Sequence, residues 1–466
     1  ITKNGSVVQG SFSPYGDNWS NSFDGNSDYI SIADSADFDF GTGDFTMEAW
    51  VYPRAFTGNY NQNNIISVHE GTDNTAYSFA VYSDGTLQLY GGGGNNDFST
   101  STVSLNEWTH VMVTRSSGTV RFFINGTLDA STYTRTGNYN CTAQGLAIGK
   151  QPIDNGGAGA TRYWNGWLSN VRMVKGTALQ TSSFTPSTSP LTAVTNTVLL
   201  ACQSNRFVDN SSSSHTLTPT GTVAVTPFSP FKDDDARDIT TDGGSAYFDG
   251  STGFSNYLSK GSSSDFQFGT GDFTVESWVY ITGNSALPPS GGPSGNIISY
   301  SSTGSGGDGG WLFIILGNTN TGDNGFGFQY WYANASVDDL YYNVNLGQNH
   351  WNHFAAVRNS GTLKLYLNGA EVASKTFTYD MTRGNTLGVG MRPWTPNNYK
   401  FPLDGILTDT RVVKGTAVYT SNFTPATSPL TAIANTKLLL NFQDAGIYDL
   451  SGINNLDTVG DARLGL

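Results

Sequence analysis

Three kinds of side chain in this sequence could do chemistry: carboxylates, histidines and aromatic rings. Glycoside hydrolysis needs two carboxylates close together, one acting as acid and the other as nucleophile or base. Glu48 and Glu276 occupy equivalent places in FGTGDFTMEAWVY (residues 40–52) and FGTGDFTVESWVY (residues 268–280), but each stands alone, and no E-x-D-x-E or E-x-D-x-x-E run occurs. The five histidines are scattered; His110 and His353 alternate with core-type neighbours on segments that begin at Trp108 and Trp351. That setting predicts hydrogen-bonded strand histidines rather than general bases. No G-x-S-x-G, H-E-x-x-H, phosphate-binding loop or dinucleotide fingerprint stands out. The expectation is a protein that is not an enzyme.

Aromatic rings offer binding instead of catalysis. A sugar stacks its apolar face on Trp or Tyr while amides and carboxylates bond its hydroxyls. Tyr60 lies among asparagines, Tyr163 and Trp164 follow a Gly-rich stretch, and Trp394 and Tyr399 occupy the matching stretch later in the chain. These five are the candidate carbohydrate-binding residues. Packing against a neighbouring copy or a partner subunit is an alternative the sequence leaves open. Trp50 and Trp278 fall on the face opposite Phe45 and Phe273, and are expected to be packed, since a large sheet can be covered on both sides.

The elements that must position these residues repeat. NEWTHVMVTRSSGTVRFFING from Asn106 returns as NHWNHFAAVRNSGTLKLYLNG from Asn349, and VRMVKGTALQTSSFTPSTSPLTAVTNTVLL from Val171 returns as TRVVKGTAVYTSNFTPATSPLTAIANTKLL from Thr410. The chain therefore holds two tandem copies of one domain. The spacing between equivalents drifts along the chain, which places insertions in surface loops; the largest, in the second copy, lies between Ile298 and Asn349 and includes SSTGSGGDGG and FGFQYWY. A shorter element, ITKNGSVVQGSFSPY at 1–15, matches LTPTGTVAVTPFSPF at 217–231 and starts again at Leu456. The expected division is a junction strand at 1–15, a first domain over 16–222 and a second over 223–466, in a chain that reads as a segment of a longer array or of a protein whose other parts have different folds.

Within a copy the period is two. Phe45, Met47, Ala49 and Val51 share one face, as do Val120, Phe122 and Ile124. Turn residues fall between the runs: Ser116–Gly118 makes a tight hairpin, and Asn125-Gly126 is the dipeptide favoured in type I′ turns. Roughly a dozen such runs per copy, with no convincing helical stretch, predict an all-β chain of two antiparallel β-sandwiches.

The order FDG, DFTxExWVY, NII, W-x-H-x-x-x-x-R-x-SGT with a following NG, and (N/D)G ahead of a final Arg strand resembles the laminin-G-like and pentraxin-like concanavalin A jelly rolls, across nearly all of both copies. The tail VKGTAxxTSxFTPxTSPLTA with NTxLL resembles repeats of marine bacteriophage structural proteins and some bacterial surface proteins. The first resemblance implies a jelly roll, and its pentraxin branch implies Ca²⁺ held by two neighbouring loops. In the first copy those places hold Asp73 and Asn74, then Gln151, Asp154 and Asn155, which are hard oxygen donors of the kind Ca²⁺ takes. The second copy, with MRPWTPNN at the second place, lacks a carboxylate there. The pentraxin disulfide is absent, because Glu48 and Met112 stand where its cysteines would fall.

Composition narrows the partners. Charged residues are only 13% of the 466, while aromatics also reach 13% and glycines number 56; disordered chains are rich in charge and poor in aromatics, so the chain folds. A net charge of −14 with 23 basic residues excludes a nucleic-acid partner. The longest apolar run, 311–316, is too short to span a bilayer, which predicts a soluble chain without membrane insertion. Cys141 and Cys202 are expected to be unpaired thiols. The resulting expectation is a virion surface protein, such as a tail fibre, an appendage or a capsid decoration, that adheres to host-surface glycan. Its partners would be that glycan, other virion proteins and further copies of itself in a homo-oligomer. A cellular or extracellular adhesin is the alternative, and an accessory module of a glycoside hydrolase ranks last.

Overall fold

A computed structural model describes residues 2–4, 8–10, 15, 18–56, 62–68, 75–141, 145–151, 162–227, 243–250, 256–282, 293–302, 309–316, 325–332, 335–344, 346–393 and 401–442. The described residues are strands joined by turns, with short 3-10 turns at Ala36–Phe38 and Ser264–Phe266. None of their helices is long and apolar enough to cross a membrane. The chain divides into two units, residues 17–234 and residues 1–16 with 235–466.

In the first unit the period-two pattern sends Phe45, Met47, Ala49 and Val51 into one core, all fully buried. Their strand, Phe45–Pro53, lies between Thr109–Ser116 and Asn165–Lys175 in an antiparallel sheet of eight described strands. That sheet continues outward through Thr119–Ile124 to Thr127–Thr134 on one side, and through Ser20–Asp24 to Ala224–Thr226 on the other. A second sheet of seven described strands runs from Thr218–Thr220 through Tyr29–Ile32, Leu146–Ile148 and Gln62–Ser67 to Asn95–Thr102. Ile30, Ile66, Phe79 and Leu89 from this sheet meet the first sheet's apolar face in one cluster. This is the expected sandwich. The hairpin turns are also as expected: Asn125 and Gly126 have φ of 48° and 74°, and Asn368 and Gly369 have 52° and 84°.

The second unit repeats the arrangement. Phe273–Ile281 lies between Trp351–Asn359 and Asp404–Lys414, and Phe273, Val275 and Val279 enter its core. The inserted aromatic stretch is not a loop. It is the strand Gly325–Tyr332, whose Phe326, Phe328 and Tyr330 pack in the core. Cys141 and Cys202 remain buried thiols.

The repeated tail has a definite mechanical place in each unit. Residues 176–196 form a strap across the outer face of the eight-stranded sheet. Thr46 Oγ donates to the Thr177 carbonyl at 2.9 Å and accepts from the Leu179 amide, and Thr114 Oγ donates to the Gln180 carbonyl at 3.0 Å. Farther along, the Phe184 amide donates to the Gly126 carbonyl at 2.9 Å, and Arg172 Nη1 reaches the Thr192 carbonyl at 2.9 Å. A Cβ on Gly126 would lie 2.0 Å from the Phe184 carbonyl oxygen, so the Asn-Gly turn serves the strap as well as the hairpin. The strap at 415–435 repeats these contacts through Thr274, Thr416, Gly369 and Phe423.

Candidate functional site

The outer face of the eight-stranded sheet in the first unit is a series of cross-strand rows. Register pairs Met112 with Glu48 and Glu48 with Arg172, then His110 with Trp50 and Trp50 with Ser169, then Tyr52 with Trp167. Trp108 immediately precedes Thr109 and places its ring 5.5 Å from Tyr52, which is 5.5 Å from Trp167 on its other side, both edge to face. Arg54 stands over the Trp167 ring at 4.9 Å.

The strap covers one end of this face. Beneath it Glu48 is buried, with Arg172 Nη2 at 2.6 Å and His110 Nε2 at 3.0 Å from its carboxylate. Burial opposes ionisation of Glu48, but the hydrogen bond to His110 and the Arg172 charge outweigh it and hold the carboxyl below its usual range. The second unit has the same group with one more donor: Arg411 at 2.6 Å, His353 at 3.1 Å and Tyr419 Oη at 2.8 Å from Glu276. Both carboxylates are thus covered members of ion pairs, and neither has a second carboxylate in its group. The histidines are hydrogen-bonded strand residues, as their neighbours predicted.

Outside the strap the face retains exposure. Trp50, Tyr52, Trp108 and Trp167 are all partly exposed, and Arg54 is exposed. Four rings and a cation in adjacent rows have the chemistry to stack on an apolar ligand face and to bond its hydroxyls. The sequence reading found only Trp50 of this set and expected it to be covered. The signal was present in the alternation, which puts Trp50 and Tyr52 on the outer face, and in the register that brings Trp108 and Trp167 to either side. In the second unit the corresponding row is shut: Trp351 is fully buried, Trp278 is 3% exposed and Tyr280 is 6% exposed.

Of the residues singled out from sequence, Tyr60, Asp73, Asn74, Asp154, Asn155, Trp394 and Tyr399 lie outside the described residues. Tyr163 is partly exposed and belongs to a small cluster in which Lys150 Nζ sits 4.5 Å from the Tyr29 ring centre and 5.2 Å from that of Tyr163. Trp164 is fully buried in the first core. A ring with no exposed face offers a sugar no platform, so Trp164 is a packing residue. Gln151 is buried and its Oε1 accepts a hydrogen bond from Arg162. With a guanidinium already on its oxygen, Gln151 does not fit as a calcium ligand in this arrangement. Among the described residues no three His, Cys, Asp or Glu side chains gather closely enough to hold a metal.

Comparison with known proteins places this geometry in a family. A family model described as the concanavalin A-like lectin/glucanases superfamily matches residues 24–182 and 243–418, one match per unit. A search of curated protein sequences finds no match. Among solved structures, a Bacteroides ovatus protein described as carbohydrate binding is similar at 18% identity with a TM-score of 0.35, over 45% of this chain and 60% of that one. The chain thus spans less than two thirds of that protein. Domains LG4-5 of the mouse laminin alpha1 chain are similar at 12% identity with a TM-score of 0.30, over 90% of this chain and 97% of that one. A heptameric pentraxin from Limulus polyphemus is similar at 21% identity with a TM-score of 0.27, over 34% of this chain and 78% of that one. With both units matched and the two-sheet sandwich in each, the chain belongs to the concanavalin A-like lectin/glucanases superfamily, as two tandem domains of the laminin-G type.

Proposed function

We propose that this protein is a non-enzymatic surface module that binds carbohydrate through the partly exposed aromatic face of its first jelly roll. The single observation that carries this reading is the partly exposed row Trp108, Tyr52 and Trp167, with Trp50 beside it and Arg54 over its end. Water leaves such rings readily, and stacked aromatic anchors dominate the energetics of sites of this kind. Tyr163, with Tyr29 and Lys150, is a second, smaller contact zone in the same jelly roll. The pairing of Glu48 and Glu276 with Arg and His under the straps supports a binding role over hydrolysis. Binding of the intact chain to a glycan array tests the proposal, and an array without signal rejects it.

The narrower setting is a virion surface, with host glycan as ligand and other virion proteins as neighbours. Its support is the strap sequence, which resembles repeats of marine bacteriophage structural proteins. A cellular adhesin would use the same aromatic face. The genes beside this one separate the two, since capsid or tail genes favour the virion and a secretion signal favours the adhesin. Calcium in the first jelly roll is a further proposal, resting on Asp73, Asn74, Asp154 and Asn155. A higher melting temperature in excess Ca²⁺ than in EGTA supports it, and identical melting rejects it.

A further inference from the structure

The two jelly rolls carry nearly the same outer row and differ at one end of it. Where the first unit has Arg54, Asn165 and Trp167, the second has Thr282, Asp404 and Ile406. The backbone that brings these positions together is the same in both: the Arg54 amide donates to the Asn165 carbonyl at 2.9 Å, and the Thr282 amide donates to the Asp404 carbonyl at 3.2 Å. Gly166 permits this close approach in the first unit, since a Cβ there would lie 2.0 Å from the Tyr52 carbonyl oxygen and 3.1 Å from the Arg54 nitrogen. One place in the fold therefore holds a cation, a neutral amide and an indole in the first copy, and a hydroxyl, a carboxylate and an alkyl chain in the second.

Arg54 is held in place but not neutralised. Its guanidinium lies over the Trp167 ring, with Cζ 4.9 Å from the ring centre, and Nη2 donates to the Phe23 carbonyl at 3.5 Å. Ring and carbonyl orient the planar group, and neither brings a full negative charge. Arg135, Arg172 and Arg411 are each paired with a carboxylate, whereas Arg54 forms no ion pair among the described residues. The adjacent strand does carry a carboxylate, Asp24 opposite Asn165. Its oxygens accept instead from the amides of Asn26, Ser27 and Asp28 and from the Ser27 hydroxyl. In the second unit the carboxylate at this place, Asp404, accepts from Thr282 Oγ1 at 2.8 Å.

We infer that the Arg54 end of the row is an anion subsite, and that the saccharide taken by the first jelly roll is an acidic one, bearing a carboxylate or a sulfate group. This inference rests on the carbohydrate-binding reading of the row. The sugar ring stacks on the aromatic side chains while its anionic group meets the guanidinium, whose parallel N–H donors match the oxygens of a carboxylate or sulfate. At the opposite end of the row Trp108 follows the exposed carboxylate of Glu107. The row is thus polarised, and it orients the ligand with its anionic group toward Trp167. The chain's net charge of −14 does not oppose this at close range, because at physiological ionic strength charges are screened beyond about 8 Å. Asp404 and the missing cation make the same place in the second unit hostile to an anion.

The test is an array of neutral, uronate-bearing and sulfated saccharides, probed with the intact chain, with Arg54→Thr, which copies the second unit, and with Arg54→Lys. The expected result is binding to acidic saccharides in preference to neutral ones, with affinity for the acidic ones falling about tenfold in Arg54→Thr through loss of a charge-assisted hydrogen-bonded pair. Arg54→Lys keeps the charge without the fork and should recover only part of that loss. Arg54 is exposed, so neither variant should shift the melting temperature. Carboxyl reduction and desulfation of the bound saccharide separate the two anions, since the treatment that abolishes binding names the group. Neutral saccharides bound as well as acidic ones, or acidic saccharides bound equally by Arg54→Thr, would overturn the anion subsite and leave the carbohydrate-binding reading standing. An array without signal for the unaltered chain rejects that reading, and this inference with it.

Discussion

Trp50, Tyr52, Trp108 and Trp167, the rings proposed to bind carbohydrate, keep partial exposure outside the strap. Residue types alone marked aromatic rings as the binding chemistry, but exposure is a tertiary property, and a Trp beside a Gly-rich stretch looked more accessible than one inside a strand. Trp164 shows the error: its counterpart in the second copy is Leu403, an apolar core residue, and that comparison is the signal that would have placed it inside. Two buried carboxyls in the second unit give opposite pH behaviour. Burial pushes Asp409 up from 3.8 to about 7, against the opposing effects of the Leu430 amide and Arg411. Its neutral form is favoured by folding, so its contribution is fully present below 3.8 and is lost as pH rises through about 7, with a limiting slope of about 1.4 kcal/mol per pH unit. Asp409→Asn should therefore flatten the melting temperature of the second unit across that window. A profile as steep as that of the unaltered protein contradicts this. For Glu276 the sign reverses. Burial disfavours its charge, yet His353 and Arg411 hold the carboxyl below 4.5, so its stabilisation is present above 4.5 and is lost as pH falls through the lowered value. Glu276→Gln leaves Arg411 without its counter-charge and should cost about 3 to 5 kcal/mol in denaturant unfolding.

The strap is the element that links sequence to site. Its motif was legible because it repeats, and it suggested a family resemblance, but its mechanical role was not legible, since extended chain without ladder pairing leaves no periodic pattern. The contacts explain the motif. Thr46 and Thr274 anchor its start on the sheet, and the Asn-Gly turn receives its Phe: Phe184 packs against His110 and Phe123, and Phe423 packs likewise against His353 and Tyr366 and also stacks on Tyr419 at 3.6 Å. Strands and hairpins, by contrast, were readable residue by residue, because alternation and turn dipeptides are local. A strap fixed this way should be loosened by one methyl group. Gly126→Ala brings a Cβ to 2.0 Å from the Phe184 carbonyl at a φ of +74°, and should cost about 1 to 3 kcal/mol. Limited proteolysis should then cut within 176–196, where the unaltered chain resists. Equal resistance in the variant would show that the strap is not held at this turn.

At the scale of the molecule, two copies of one sandwich have diverged on the same face. The first keeps its aromatic row partly exposed, and the second has buried Trp351, Trp278 and Tyr280. Tandem repetition made the domain count legible from sequence, since the same motifs return in order, but not this asymmetry, because the row residues are nearly the same in both copies. Only Trp167, whose equivalent is Ile406, and Arg54, whose equivalent is Thr282, differ in type. The division of labour predicts that binding belongs to the first jelly roll. The most direct measurement is glycan-array binding of the intact chain beside the double variant Trp108→Ala/Trp167→Ala. Loss of an aromatic anchor of this kind costs about 2 kcal/mol or more, roughly thirtyfold in Kd, so the double variant should lose its array signal while the second unit melts unchanged. Equal binding by the variant, or no glycan bound by the unaltered chain, would contradict a carbohydrate-binding face at these residues.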